Sequence, residues 1–171
     1  MAETKYILDK NKLVRYMMQV HNDEYSGEIS RIKLQKGLYF LFAFWAQNMS
    51  EATNQKTEID DLIKTESEYL FDAGFEAWAY GPVDVDVYKK HKRNELVAFT
   101  QEESNEFLRE NNPVVNSYLH SMTRKIFNSS DFGLVDLSHR DKVWSDKYDP
   151  SVPYNDEVIT AEEIVNEYKK K

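Results

Sequence analysis

The hydrophobic pattern is densest between Ser30 and Trp45, SRIKLQKGLYFLFAFW, and from Gly37 to Ala46 no side chain is charged. Leu34, Leu38, Leu41 and Trp45 recur at helical spacing and form one apolar stripe. Tyr39, Phe40, Phe42 and Phe44 cover most of the remaining circumference. A helix apolar nearly all round is a central, buried helix. The run is too short to span a bilayer, which takes roughly 20 apolar residues. Arg31, Lys33 and Lys36 precede it, Gln47 and Asn48 follow it, and Ser30 suits the N-cap. The pattern predicts that this helix stops by Ala52.

Before it, Asp9 can cap a first helix with Leu13, Tyr16, Met17 and Val20 on one face, ending near His21 or Asn22. Residues 51–67 are mostly polar and read as an exposed insertion, although Ile59, Leu62 and Ile63 could form one helical turn. The period then shortens. Tyr69-Leu70-Phe71, Asp72-Ala73-Gly74 and Phe75 to Tyr80 predict strand, tight turn, strand, with Glu76, Trp78 and Tyr80 on one face and Phe75, Ala77 and Ala79 on the other. Gly81 lets the backbone turn, and Pro82 near the first helical position starts a helix carrying Val83, Val87 and Tyr88 inward. That helix finishes in Lys89, Lys90, His91, Lys92 and Arg93, where cations favour the macrodipole or form a nucleic-acid patch.

Leu96 to Phe99 is a candidate third strand. Thr100 to Glu103 is a capping box opening a helix to about Asn111. Asn112-Pro113 starts another, with Val114, Val115, Tyr118, Met122 and Ile126 on its apolar side. Asp131 to Arg140 is a short helix with Leu134 and Leu137 inward, and residues 144–158 read as irregular. Thr160 to Glu163 is a second capping box, and Ile164 and Tyr168 anchor the last helix. The fold class is mainly α (α+β): six or seven helices around the central one, with a small antiparallel hairpin or sheet. One domain fills 1–171, its core over about 9–169.

Composition narrows the function classes. Thirty acidic residues against 22 basic ones give a net charge of −8, which disfavours a broad grip on nucleic acid and suits a basic or neutral protein partner. The absence of cysteine removes disulfides and thiolate chemistry. The N-terminus carries no signal-type apolar region, so a soluble cytoplasmic protein is expected. His139-Arg140-Asp141 copies the start of a kinase catalytic loop, but Asp146 stands where Asn is needed and no glycine-rich loop exists. P-loop, dinucleotide and nucleophile-elbow motifs are missing. His21, His91, His120 and His139 lie too far apart for a helical metal motif, and Asp60-Asp61 and Asp84 with Asp86 read as solvated carboxylates. No catalytic residue, metal or cofactor is expected. Trp78, Tyr80, Tyr88 and Trp144 are the residue types enriched in binding hot spots, and equally the types that fill a core.

Three stretches together resemble the Panacea domain: KLQKGLYF (Lys33 to Phe40), LFDAGFEAWAYGPVDVDVYKKHK (Leu70 to Lys92) and LSHRDKVW (Leu137 to Trp144). The family pattern falls on Lys33, Leu34, Gln35, Lys36, Leu38, Tyr39 and Phe40, then on Glu76, Ala77, Trp78, Tyr80, Gly81, Pro82 and Val83. It closes on Leu137, Ser138, His139 and Trp144. The resemblance spans roughly Leu13 to Tyr168, and the insertion 51–67 is longer than the pattern, which bears on partner choice. It implies a helical, non-enzymatic antitoxin that neutralises a toxin by direct contact, some relatives acting as proteolytic adaptors. Trp78, Tyr80, Gly81, Pro82, Tyr88, His139 and Trp144 are the protein-binding residues expected. Two alternatives stay open: a phage or prophage accessory protein binding a host defence component, and a winged-helix-like regulator using the hairpin and Lys89–Arg93 on DNA.

Overall fold

A computed structural model describes residues 5–53, 67–152 and 154–171. Eight helices and a three-stranded antiparallel sheet are seen among them: α1 (Lys10–Glu24), α2 (Arg31–Thr53), β1 (Gly74–Trp78), β2 (Gly81–Val83), α3 (Val85–Lys92), α4 (Gln101–Arg109), α5 (Pro113–Phe127), α6 (Asp131–His139), α7 (Lys142–Ser145), β3 (Val158–Thr160) and α8 (Ala161–Lys169). The fold is mainly helical with a small sheet, as the pattern predicts. No helix among the described residues is long and apolar enough to cross a membrane.

Helix α2 is the centre. Leu34, Leu38, Tyr39, Phe40, Leu41, Phe42 and Ala43 are fully buried, and α1, α3, α5, α6, α8 and β2 all pack on it. Ser30 caps it, accepting from the Lys33 amide at 2.9 Å. Gly37 lets α1 approach closely, since a Cβ there would stand 2.9 Å from Met17 Cε. The other helix starts follow local chemistry. Asp9 accepts from Lys12 N, Asn112 precedes Pro113 at the first turn, and Thr100 and Thr160 each close a full capping box. After α3 the chain reverses through Asn94 at φ 58°, with Glu95 N bonded to Lys90 O at 2.9 Å and Asn94 N to His91 O at 3.2 Å. This is a Schellman ending with asparagine in the left-handed position.

The sheet departs from expectation. The hairpin runs through β1 and β2 about Ala79-Tyr80, with Trp78 opposite Gly81, Ala77 opposite Pro82 and Glu76 opposite Val83. Pro82 therefore lies in an edge strand and not at a helix start; the cap of α3 is Asp84. The Ala77 amide points to the other side, bonding Glu157 O at 3.1 Å, so the Ala77–Pro82 pair needs no proline N–H. Tyr69 to Phe71 form no strand; Leu8 N bonds Leu70 O at 2.8 Å, and Leu70 and Phe71 are buried side by side. Residues 96–99 also form no strand and lie along α1, with Arg15 over the Phe99 ring. The third strand is β3, which begins at the last residue of the stretch read as irregular and runs to the cap of the last helix, pairing Phe75 with Ile159. Its three residues are too few to show a period.

Smaller differences have similar causes. Helix α1 continues to Glu24, because the Tyr25 amide still finds His21 O at 2.9 Å. Short α7 extends past the expected end of α6. Leu137 is 37% exposed, while Val135 and Ser138 take the inward face. Asp84 is buried rather than solvated. Ile59, Leu62, Ile63, Asp60 and Asp61 lie outside the described residues, as does most of the insertion.

With no exposure at either position, Leu38→Ala and Leu41→Ala should each lower stability by about 2–5 kcal/mol in urea unfolding. A loss below about half a kcal/mol at both would contradict a central role for α2.

Candidate functional site

The first turns of α2 carry polar residues into a region the apolar packing has closed, and each finds a partner far along the chain. Lys33 Nζ donates to Phe127 O at 3.2 Å and also to Ser129 O, holding the end of α5. Gln35 makes a two-bond clamp on Asp84: its Nε2 donates to Asp84 O at 3.1 Å, and its Oε1 accepts from Asp84 N at 2.7 Å. The Asp84 carboxylate then caps α3 through Val87 N at 3.0 Å and pairs with Lys10 Nζ at 2.9 Å. Lys36 Nζ donates to Pro82 O at 2.7 Å, the outward carbonyl of the edge strand.

Lys36 is 1% exposed, and among the described residues no carboxylate pairs with it. Burial alone lowers its pKa to about 7. The chain passes close by: Gly81 has φ +106°, and a Cβ there would fall 2.3 Å from Ser138 Oγ and 2.8 Å from Lys36 Cε. Only glycine suits both the left-handed backbone and the contact.

Behind the hairpin, α6 and α7 hold the turn. Trp144 Nε1 donates to Trp78 O at 2.7 Å, and His139 Nε2 lies 3.0 Å from Ala79 O, so this nitrogen carries the proton. The His139 ring stacks on Trp144 at 4.0 Å, and Trp144 on Tyr148 at 4.7 Å. Partial burial lowers the His139 pKa; the bond to Ala79 O opposes this, and Lys36 nearby adds to it. Asp141 is buried too, accepting from Tyr39 and Tyr168 hydroxyls at 2.6 Å each and pairing with Lys171 at 2.5 Å. Burial, then the neighbouring Tyr168 and Asp141, raises the Tyr39 pKa well above its usual value. The His-Arg-Asp triplet thus has two members bonded into the frame, and Arg140 is exposed.

In front of the hairpin opens a cleft of about 430 Å³. Its floor and one wall are Arg31, Ile32, Gln35 and Lys36, and the facing wall is Trp78, Tyr80 and Tyr88. Trp78 packs edge-on against Tyr88 at 4.9 Å and Tyr154 at 5.3 Å, and its Nε1 donates to Glu76 at 2.9 Å. The rim is aromatic and open: Tyr80 is 59% exposed, Tyr154 71%, and Phe132, in contact with Tyr80, 62%.

Of the residues expected at a site, Trp78, Tyr80 and Tyr88 meet in this cleft. Gly81 and Pro82 are buried in β2 and are not among the residues lining it, while His139 and buried Trp144 sit behind the hairpin. Arg31, Lys36, Phe132 and Tyr154 were not expected there. The legible signal was Lys36 itself, a lysine one residue before an all-round apolar run, which burial of that run draws inward. Among the described residues no cluster of three His, Asp or Glu could hold a metal ion. Comparison of the chain with protein-family models, curated proteins and solved structures gave no match.

The buried lysine makes stability depend on pH. Its folded pKa of about 7 lies below the ordinary 10.5, so between these values the unfolded chain holds a proton that the folded chain has lost. Stability therefore rises with pH across this window, by at most about 1.4 kcal/mol per unit, and the term is flat below it. Urea unfolding from about pH 7.5 to about pH 9.5 should show wild type gaining on Lys36→Met by about 1 kcal/mol per unit. Parallel profiles would mean that Lys36 stays protonated in the folded protein.

Proposed function

We propose that this chain is an antitoxin-like recognition module that neutralises a partner toxin by direct contact, and that the cleft in front of the hairpin is its contact surface. The observation that carries the reading is the aromatic rim: three large side chains, Tyr80, Phe132 and Tyr154, each more than half exposed beside a 430 Å³ cleft. Exposing such side chains together is unfavourable unless a partner covers them, and tyrosine and tryptophan dominate binding hot spots. The rim is also preorganised. Gln35, Lys36, His139 and Trp144 fix the hairpin backbone from both sides, so little ordering cost remains for binding. The acidic balance and the likeness of the KLQK, GFEAWAYGPV and LSHRDKVW stretches to Panacea-domain antitoxins support the same reading.

Tyr80 sits on the turn and supports no core packing, so Tyr80→Ala should leave the thermal midpoint within a few degrees. Co-expressed with its partner toxin, the variant should fail to restore growth where wild type succeeds. A stable Tyr80→Ala protein that protects cells fully would remove the cleft from the reading.

A further inference from the structure

Positive charge is unevenly spread on this acidic chain. Four of its 22 basic residues, Lys89, Lys90, Lys92 and Arg93, crowd the end of α3. Helical spacing divides them. Lys90 pairs with Asp86 at 3.1 Å on one flank, while Asp84 faces inward and is buried. On the opposite flank Tyr88, Lys92 and Lys89 follow one another, since residues three and four apart are neighbours on a helix surface. Tyr88 brings that flank to the cleft. Arg31 lines the same cleft and stands beside the last turn of α3: burial lowers the His91 pKa, and the Arg31 charge lowers it further. Arg31, Lys89 and Lys92 are exposed, and none pairs with a carboxylate among the described residues. The cleft thus meets free cations along α3 and exposed aromatic rings along the hairpin.

We propose that this face binds single-stranded nucleic acid: an unstacked base enters the cleft against Tyr88 and Trp78, a neighbouring base stacks on Tyr80, and Arg31, Lys92 and Lys89 take the phosphates. The inference goes beyond the toxin reading and does not rest on it, although both ligands use the same cleft. Every nucleotide couples one π face to one negative charge, and sequence-tolerant strand binding needs just these two groups side by side. A duplex keeps its base faces stacked and offers the rings nothing. An acidic protein run meets the cations but leaves the exposed rings uncovered. Glu76, on the same strand face as Trp78, is taken up by Trp78 Nε1 at 2.9 Å. The net charge of −8 keeps the grip local, because the remaining surface repels the strand. Few phosphates are therefore held, and the dependence on salt is shallow.

Fluorescence anisotropy of labelled, mixed-sequence strands of about 12 nucleotides tests this on the 171-residue chain. Saturable binding is expected at about 50 mM salt, with log K falling against log salt at a slope of about −2, the value for three phosphates on a single strand. Arg31→Gln, Lys89→Gln and Lys92→Gln, each checked by its thermal midpoint, should each weaken binding and make the slope shallower by about 0.7. Tyr80→Ala should lose at least about fivefold in affinity at an unchanged slope. The same sequence annealed to a duplex should bind more weakly. DNA and RNA strands are compared in parallel; binding of either supports the proposal, and the tighter one names the source. No saturable binding of either strand at that salt would overturn it. A duplex that binds as well as the strand, with Tyr80→Ala neutral, would also overturn it, because that marks a polyanion patch without base contact. Poly-glutamate that displaces the strand at equal charge concentration would replace the nucleic acid with an acidic protein segment.

Discussion

Everything in this molecule depends on the burial of α2, nearly all round, between Lys33 and Ala46. Its apolar face and its flanks are covered by α1, α3, α5, α6, α8 and the edge of the sheet. A helix so enclosed has no solvent for its polar residues, and buried polar groups must be bonded or lost to stability. Lys33, Gln35, Lys36 and Tyr39 therefore become the points where distant parts of the chain are tied down: the end of α5, the start of α3, the edge strand and the α6–α7 junction. The core supplies cohesion without direction. These few bonds supply the direction, because each accepts only one partner geometry.

The hairpin shows what such bonds achieve. An edge strand with Pro82 presents a carbonyl to the protein and no amide, and Lys36 answers that carbonyl. Gly81 brings the backbone close enough for the bond, and Ser138 closes the space behind it. On the other side Trp144 and His139 take the next two carbonyls of the turn, those of Trp78 and Ala79. With the backbone held from both faces, Tyr80 projects outward with nothing pulling it back. The same constraints that stabilise the fold thus leave an aromatic rim and a buried lysine beside one cleft.

The candidate site was only partly legible. Trp78, Tyr80 and Tyr88 stand close in sequence and share the cleft, so residue type and turn chemistry sufficed to select them. Gly81 and Pro82 read as a turn into a helix, yet they form edge strand β2 just after the Ala79-Tyr80 turn, because a Gly-Pro step also suits an edge strand whose outward carbonyl is met by a lysine. His139 and Trp144 support the hairpin from behind, and nothing local in LSHRDKVW indicates the two carbonyls they meet. Phe132 and Tyr154 reach the rim from α6 and from the loop before β3, elements whose positions local pattern does not encode.

What the sequence alone determined is what short-range physics controls. The all-round apolar run makes a buried helix at any place in a globule, and the caps at Asp9, Ser30, Thr100, Asn112 and Thr160 act within three residues of themselves. Only the tertiary structure decided the strand register, the burial of Asp84 and Lys36, and the cleft between α2 and the hairpin. Those rest on pairs 46 residues apart for Lys36 and Pro82, 49 for Gln35 and Asp84, and 102 for Tyr39 and Asp141. A local pattern carries no record of such partners. Lysine before an apolar run reads as a polar end until a carbonyl from another strand arrives to bury it.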